Sequence, residues 1–379
     1  YKVIKVKTIK LEVRYERTLV YCYFVPLEYL WVNRQMETIQ VKGSKYNSVI
    51  YVGERLENLA KLIPGKGVFI ITDSNIDRIY GNRLPPLPKF VANPGEQSKT
   101  LLRLTEIYRW LLDSGADRNS FIVGIGGGVV CDITGFVAST YMRGVRFGFV
   151  ATSLLAQVDA SIGGKNGVNL DGYKNIVGTF NQPQFVICDT SLLKTLPETE
   201  LSNGFAEMVK HALIADAPQF NILESNTNRL NTCDLELLDS LVASSVGVKA
   251  SIVTADERES GERKKLNFGH TWGHAVEKVT GIPHGQAVSI GMAFASQLSA
   301  EKGLLTPDEC HRITSLLIAL NLPVSIKANT NNIFEALQRD KKRCSNAIDF
   351  ILLEGIGKAV IKSLSLVEIK EFIERKYCY

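Results

Sequence analysis

The sequence predicts an α/β domain followed by an all-α domain, and two observations lead to this prediction. In the first half, short β-branched runs bounded by glycine alternate with segments of helical spacing. After about residue 197 such runs nearly vanish, and the remaining segments follow the helical period. A chain of 379 residues is too long for one ordinary core, so we expect two domains, over residues 37–197 and 198–379.

Residues 1–36 do not follow this pattern. They alternate lysine with valine and isoleucine and then give the aromatic run YCYFVPLEYLW. Pro26 and Glu28 interrupt the apolar middle and no A-x-A-like site follows, so a secretory signal is not predicted. We interpret the segment as an extension of unknown role, with a β-hairpin at the start of the domain as the alternative.

Composition argues against several classes of protein. The formal net charge is +5 and the basic residues are spread along the chain, so a nucleic-acid surface is not predicted. No window of 18 or more residues is uninterruptedly apolar, so no membrane-spanning helix is predicted. The seven cysteines are widely spaced without a CxxC pair, which suggests a reduced, cytoplasmic protein without a cysteine metal site.

The segment FIVGIGGGVVCDITGFVAS (121–139) predicts a strand, a glycine-rich turn and a helix. Glycines let the backbone approach a ligand, and the helix N-terminus offers free N–H groups to a phosphate. The segment is neither a strict Walker loop nor a strict GxGxxG motif, so a tight turn without a ligand is the alternative. Asp73 and Asn75 follow the predicted strand GVFIITD, at the end where such sheets bind ligands, although they also suit a plain turn.

Residues 148–183 are rich in glycine and asparagine, and Asp159, Lys165 and Lys174 lie among them. Lysines in such loops suit phosphate or carboxylate groups, and solvated surface lysines are the alternative. FVICDTSLLKTLPETE then predicts the last strand of the first half, followed by a polar segment that leads into the second half.

Three of the five histidines occur close together, as His270, His274 and His284. The apolar spacing from Leu266 to Val279 predicts a helix, on which His270 and His274 share one face. Glycine and proline end that helix, and His284 is expected in the turn beyond it. Three converging imidazoles would form a catalytic metal site, whereas a histidine pair alone suits a polar helix face. Spacing leaves open which histidines bind the metal and which one carries a proton.

Motifs in both halves resemble the 3-dehydroquinate synthase family. The matching segments are GEQSK, GGGVVCD, ATSLLAQVDASIGGKNGVN, YKNIVGTF, NGFAEMVKHALI, VKASIVTADERESGERKKLNFGHTWGHAVEK and PHGQAV. The resemblance runs from about residue 38 to the end. It implies membership of the sugar phosphate cyclases, with a fold like that of glycerol dehydrogenases: a Rossmann-like nucleotide-binding domain, then a helical domain for metal and substrate.

The activity implied by the resemblance is that of a carbon–oxygen lyase acting on phosphate. The family converts 3-deoxy-D-arabino-heptulosonate 7-phosphate (DAHP) to 3-dehydroquinate and phosphate, in the shikimate route to aromatic amino acids. Bound NAD oxidises a ring hydroxyl, phosphate leaves, the hydride returns, and an intramolecular aldol step closes the carbocycle. The implied cofactors are NAD, which is recycled, and a zinc or cobalt ion.

The resemblance also implies roles for individual residues. It implies the metal ligands Glu207, His270 and His284, with His274 as the proton carrier. It assigns further catalytic roles to Asp159, Lys165, Lys210 and Glu259. It implies that the anionic sugar phosphate is bound by Arg143, Asn175, Lys249, Arg263, Asn267 and Lys341 or Lys342. It implies that NAD is bound by Asp73, Asn75, Glu96, Gln97, Ser98, Lys99, Gly127, Gly128, Val129, Val130, Asp132, Thr152, Ser153, Lys165, Lys174, Leu192, Leu193, Lys194 and Thr195. Arg143 matches an arginine that reaches into the neighbouring subunit's site, which implies a homodimer.

The chain departs from the family pattern in two places. Cys131 stands where glycine is usual, and the connection from His274 to His284 is shorter than in many members. The alternatives are another sugar phosphate cyclase whose substrate has no carboxylate, a metal-dependent polyol dehydrogenase, and a non-catalytic protein that kept the fold. The cations Lys249 and Arg263 argue against a substrate without a carboxylate, because unpaired buried cations are costly.

Overall fold

The computed structural model describes residues 9–15, 18–24, 36–44, 46–341 and 347–377. The chain divides into two units, Tyr1–Met36 and Glu37–Tyr379. In the first unit, strands β1 (Ile9–Tyr15) and β2 (Thr18–Phe24) form an antiparallel hairpin.

A seven-stranded sheet is the centre of the second unit, with strand order β3-β4-β11-β8-β7-β5-β6. All neighbouring strands are parallel except β3, which is antiparallel to β4. Two interior strands, β7 and β11, are buried along their whole length, as apolar runs in parallel sheets usually are. The strands are β3 (Glu37–Val41), β4 (Ser48–Val52), β5 (Val68–Asp73), β6 (Lys89–Ala92), β7 (Phe121–Gly126), β8 (Arg146–Ala151) and β11 (Phe185–Cys188).

Helices connect these strands, and a second hairpin leaves the sheet after β8. The helices are α1 (Ser74–Tyr80), α2 (Leu101–Asp113) and α3 (Gly128–Thr140). Thr100 accepts a hydrogen bond from the Arg103 N–H and so caps α2. The segment ERLENLAKLI, which has helical spacing, forms only a 3₁₀ helix at Leu56–Lys61. The second hairpin consists of β9 (Lys165–Leu170) and β10 (Tyr173–Phe180).

The region after residue 197 is mainly helical. Its helices are α4 (Glu198–Ala215), α5 (Ala217–Ser225), α6 (Thr227–Asn231), α7 (Leu235–Ala255), α8 (His270–Thr280), α9 (His284–Glu301), α10 (Pro307–Ala319), α11 (Thr330–Lys341) and α12 (Leu366–Tyr377). By length and hydropathy α7 could cross a membrane. Its apolar side chains, among them Leu238, Val242 and Val253, are fully buried in the core, which accounts for that hydropathy.

The prediction of an all-α second half is wrong. Strands β12 (Ala347–Leu353) and β13 (Ala359–Ser365) form an antiparallel hairpin, with Ala347 opposite Ser365. Gly355 and Gly357 have positive φ angles of 131° and 85°, which lets the chain reverse between the strands. The hairpin packs against α9 and contributes Phe350 to a core cluster with Trp272 and Phe294.

Glycines bring α4, α8 and α9 unusually close together. A Cβ atom on Gly291 of α9 would lie 1.8 Å from the Gly269 carbonyl oxygen, just before α8. A Cβ atom on Gly285 would lie 2.4 Å from the Asn203 Cα atom of α4. These contacts set the spacing of three helices that each carry one residue of the site described next.

Candidate metal and substrate site

Glu207, His270 and His284 come together from α4, α8 and α9. Their potential ligand atoms lie within 4.8 Å of one another, and Nε2 of each histidine is 3.5 Å from Glu207 Oε1. Glu207 is fully buried. The sequence predicts His284 in a turn beyond α8, but in the structure it is the first residue of α9. The helix α8 itself begins at His270, after a 3₁₀ helix at Glu262–Asn267.

The outer nitrogens of both histidines are already engaged. His270 Nδ1 lies 3.1 Å from the Phe268 carbonyl oxygen, and His284 Nδ1 lies 3.2 Å from Glu277 Oε2. Both histidines therefore direct Nε2 towards Glu207, and the acceptors at Nδ1 hold the rings in the orientation that metal-binding histidines usually have. Glu207 Oε1 is buried and, among the described residues, has no hydrogen-bond partner. A divalent cation would satisfy that oxygen, so these three residues fit a metal ion.

The electrostatics of the triad favour a cation as well. Burial raises the pKa of Glu207, but the neighbouring Lys210 ammonium outweighs it and holds the pKa well below its usual range. Burial lowers the pKa of His270, which keeps its imidazole neutral. Burial also lowers the pKa of His284, but the neighbouring carboxylates of Glu207 and Glu277 outweigh burial and raise it to about 9. The space around His284, between the carboxylates of Glu207 and Glu277, thus stabilises positive charge.

His274 lies beside the triad but is exposed. Its ring centroid is 5.1 Å from that of His270 and 5.8 Å from that of His284. His274, Glu277 and His284 also have ligand atoms within 4.8 Å of one another. We favour the Glu207 triad, because Lys174 and His284 already occupy the two oxygens of Glu277. An exposed imidazole next to a metal site suits proton transfer.

A cluster of cations surrounds Asp159, which lies in a single turn of π-helix, Ala156–Ala160. Lys249 Nζ donates to Asp159 Oδ1 at 2.6 Å and to the Asp159 carbonyl oxygen at 2.7 Å. Lys210 Nζ lies 3.6 Å from the same Oδ1 atom. Burial raises the pKa of Asp159, but Lys249 and Lys210 lower it more, to well below its usual range. Burial lowers the pKa of Lys249 to about 8, although Asp159 opposes the shift.

Arg263 is a buried guanidinium without a carboxylate partner. It donates from its NH2 group to the Gly163 carbonyl oxygen at 3.0 Å and from NH1 to the Glu257 carbonyl oxygen. Among the described residues, Asp256 accepts from the Arg263 backbone N–H at 3.1 Å, but no carboxylate oxygen lies within 4.0 Å of the guanidinium nitrogens, and the Nε–H has no acceptor. Burial lowers the pKa of Arg263. A buried cation in this state suits an incoming anion.

Lys165, Glu259 and Asn267 form a second polar group. Lys165 Nζ donates to Glu259 Oε2, and Asn267 Nδ2 donates to Glu259 Oε1 at 2.5 Å. Burial raises the pKa of Glu259, but Lys165 and Asn267 lower it more. Glu259 has a φ angle of 62°, a left-handed conformation that costs energy outside glycine.

Two further predicted substrate residues share this backbone conformation. Arg143 has a φ angle of 71° and Asn175 one of 54°, and both side chains are exposed. Strain of this kind is concentrated at functional sites. Lys341 is the last residue of α11, and Lys342 lies outside the described residues.

The predicted phosphate loop has the expected geometry. β7 ends at Gly126, and α3 begins at Gly128 with Gly127 as its N-cap. A Cβ atom on Gly127 would lie 3.3 Å from Ser153 Oγ, and one on Gly128 would lie 3.1 Å from the Ala160 Cβ atom. The half-buried loop therefore has no room for side chains beside a free helix N-terminus, as a phosphate cradle requires. The N–H group of Thr152 is used elsewhere, because it donates to the Gly126 carbonyl oxygen at 3.0 Å.

Polar residues predicted to bind NAD lie near α3. Lys99 Nζ pairs with Asp132 Oδ2 at 2.5 Å and lies 3.7 Å from Glu96 Oε1. Burial raises the pKa of Asp132 to about 6, although Lys99 opposes the shift. Ser98 donates to a backbone carbonyl, and Gln97 is exposed. Val129 is half-buried and Val130 is buried, so these two residues offer a ligand only their backbone.

The remaining predicted NAD residues differ in what they can offer. The Asp73 carboxylate caps α1 by accepting from the N–H groups of Asn75 and Ile76, while the Asn75 side chain is exposed. Leu192 and Leu193 are buried in the core, Lys194 is exposed, and Thr195 Oγ1 lies 2.6 Å from the Tyr80 hydroxyl. Asp73 and the two leucines therefore have structural roles for their side chains.

Sequence reasoning missed two residues of the site. Glu277 forms hydrogen bonds with both His284 and Lys174. The sequence pattern that could have indicated it is a carboxylate three residues after His274 on the same helix. His211 is completely buried, with Nε2 3.7 Å from Asp159 Oδ1, and burial lowers its pKa. Only its position next to Lys210 in the sequence could have indicated it.

The fold that carries this metal triad and cation cluster is shared with solved structures of sugar phosphate cyclases. The chain is 28% identical to 2-epi-5-epi-valiolone synthase from Streptomyces hygroscopicus with NAD+ and Zn2+ bound, with a TM-score of 0.80 over 88% of this chain and 97% of that one. It is 28% identical to 2-deoxy-scyllo-inosose synthase complexed with carbaglucose-6-phosphate, NAD+ and Co2+, with a TM-score of 0.81 over 89% and 100%.

Sequence comparisons identify the family within that class. Residues 89–203 match the profile of the 3-dehydroquinate synthase N-terminal domain, and residues 204–343 match that of the C-terminal domain. The 3-dehydroquinate synthase of Dehalococcoides mccartyi is 42% identical over 337 residues, which cover 85% of this chain and 94% of the relative. The chain belongs to the 3-dehydroquinate synthase family.

Proposed function

We propose that this chain converts DAHP to 3-dehydroquinate and phosphate. The observation that carries the proposal is the convergence of the metal triad with a cluster of buried cations that suit a carboxylate. Lys249 and Arg263 are both buried, and Arg263 has no carboxylate partner among the described residues. A substrate with a carboxylate and a phosphate fits such a site better than a neutral polyol does.

The residues present fit both cofactors, so each has a place in the mechanism. Glu207, His270 and His284 would hold a zinc or cobalt ion, and the Gly127–Gly128 turn with Lys99 and Asp132 would hold NAD. When bound, NAD supplies a transient oxidation at one substrate carbon, and the metal ion supplies Lewis-acid polarisation of the hydroxyl there.

The chain itself binds and orients the substrate. Lys249 and Arg263 pair with the substrate carboxylate, and Lys165 and Asn267 bind its phosphate. Glu259 holds Lys165 and Asn267 in place through both carboxylate oxygens. Two charge-assisted anchors at opposite ends of the substrate fix the carbon between them, which converts binding energy into orientation.

His274 carries protons during the reaction. It is exposed towards the site while its neighbours His270 and His284 face Glu207 through Nε2. An imidazole can accept a proton from carbon and return one to the product. The Lys210 ammonium keeps its charge, because Glu207 and Asp159 outweigh burial and raise its pKa.

The protein acts as a homodimer in this proposal. Arg143 is exposed, adopts a left-handed conformation, and makes no hydrogen bond or ion pair within the described chain. Its neighbour Met142 is exposed, as are the apolar side chains of Leu102 and Ile176. Exposed apolar side chains and an arginine without a partner among the described residues suit contact with a second copy, whose site Arg143 would complete.

A phosphate-release assay with DAHP tests this function. We expect release that requires NAD and zinc, stops after chelation, and leaves no net NADH. A seven-carbon ketose phosphate without a carboxylate should release little phosphate. NADH accumulating with glycerol, and no phosphate from DAHP, would instead identify a polyol dehydrogenase.

A further inference from the structure

Glu277 joins the metal site to the tip of the β9–β10 hairpin. We define the tip as residues 170–174, at the turn between the two strands. Glu277 Oε2 bonds His284 Nδ1 at 3.2 Å, and Glu277 Oε1 accepts from Lys174 Nζ at the tip. The Glu277 side chain is only 9% exposed, whereas that of Lys174 is 55% exposed. Glu277 therefore contacts a predicted metal ligand with one oxygen and an exposed lysine with the other, so a change in the position of either partner can alter the position of the other.

A second contact fixes the same parts of the chain together. The Lys278 ammonium lies 5.6 Å from the centroid of the Tyr173 ring, a cation–π contact. Residues 173 and 174 of the tip thus face residues 277 and 278 of α8. Asp171 and Gly172 have positive φ angles, so the tip has its own irregular backbone and depends on such contacts for its position.

From this geometry we propose that Glu277 is a positioning residue that couples the hairpin tip to metal affinity. With the tip docked, Lys174 holds Glu277, Glu277 holds the ring of His284, and Nε2 of His284 faces Glu207. Coupling of two sites is reciprocal, so a metal ion that fixes His284 also holds the tip in place. The inference rests on the proposed metal site and concerns no step of the reaction.

Zinc affinity of the full chain tests the coupling, measured by competition with a chromogenic chelator in the absence of NAD and substrate. Glu277→Gln should weaken zinc binding about 10- to 100-fold, as loss of a carboxylate that holds a metal-binding histidine usually does. Lys174→Met should weaken it about 2- to 5-fold, the contribution of a partly exposed ion pair. In the Glu277→Gln background, Lys174→Met should have no further effect, because the connection is already cut.

Lys358→Met is the matched control, since Lys358 is 72% exposed and pairs with Glu354. It should leave zinc affinity unchanged. An unchanged affinity in Lys174→Met, or the same loss in both backgrounds, would overturn the coupling. Because no substrate is present, these outcomes are independent of whether DAHP is the substrate.

Hydrogen exchange gives the reciprocal measurement on the same proteins. Zinc should slow amide exchange in a peptide that spans residues 170–176 of the unmodified chain, and this slowing should disappear in Glu277→Gln at saturating zinc. Equal protection in both proteins would show that the metal ion and the tip are independent.

Discussion

Replacing Gly291 by alanine should greatly reduce metal affinity while the protein still folds. A Cβ atom at this position would lie 1.8 Å from the Gly269 carbonyl oxygen and 2.8 Å from the Gly273 nitrogen. Both obstacles are backbone atoms, so no side chain can rotate away. Because Cβ atoms essentially never approach closer than 3.0 Å, α9 and the start of α8 must separate by about 1.2 Å.

That displacement matters because His270 follows Gly269 directly and His284 lies on the same helix as Gly291. Metal–ligand distances tolerate only about 0.2 Å, so a separation several times larger should reduce zinc affinity strongly. Overpacking itself costs about 1–3 kcal/mol of unfolding free energy, which a chain of this size withstands. We therefore expect a folded protein with little metal affinity and little activity.

Gly247 provides the control, because it also lies within a helix, α7, and nothing is within 4 Å of a Cβ atom there. Gly247→Ala should stabilise the fold by about 0.5–1 kcal/mol and leave zinc binding unchanged. Urea denaturation and chelator competition measure the two effects separately. Wild-type zinc affinity in Gly291→Ala would refute the argument that close helix packing sets the ligand geometry.

Three further predictions follow from the site. His270→Ala should abolish zinc binding and turnover together. His274→Ala should keep its zinc, measured by elemental analysis, but lose about 100-fold or more in turnover. Loss of the metal in His274→Ala would contradict the ligand assignment. In steady-state assays the KM for DAHP should rise as pH increases through about 8, because Lys249 then loses the proton that gives it charge. Lys249→Arg should move that rise to higher pH. A KM that is flat from pH 7 to 9 would exclude Lys249 as a residue that binds the substrate. Arg143→Ala and His270→Ala should each be inactive alone, but a mixture should regain about a quarter of wild-type activity. Half of the dimers formed at random contain both variants, and one of the two sites in each of these is complete. No recovery after subunit exchange would show that Arg143 serves its own subunit.

The features that could be predicted from sequence are those encoded over short distances. The strand, turn and helix from β7 to α3 depend on neighbouring glycines, and the structure has them as expected. The pairing of His270 and His274 on one face follows from helical periodicity. The contact of Glu207 with either histidine could not be derived this way, because those residues are far apart in the chain, and only the family resemblance indicated it.

Other features were missed because local patterns admit more than one structure. The short runs AIDFILL and AVIKSLS suit a strand as well as a piece of helix, and the glycines between them are the signal for a hairpin. Asp73 follows a strand as a ligand-binding aspartate would, yet its carboxylate caps a helix. The role of Glu277 depends on a lysine of another hairpin, which no local pattern can show.

The cations of the site are largely neutralised by the protein itself, and this has a consequence for selectivity. Lys165 is paired with Glu259, and Lys249 with Asp159. An anion that enters must compete with these internal carboxylates, so its net affinity is the difference between two ion-pairing free energies. A weakly charged or badly placed anion gains nothing from that exchange, whereas a phosphate dianion gains most. The charge and the placement of an anion, more than its size, would therefore decide how tightly this site binds it.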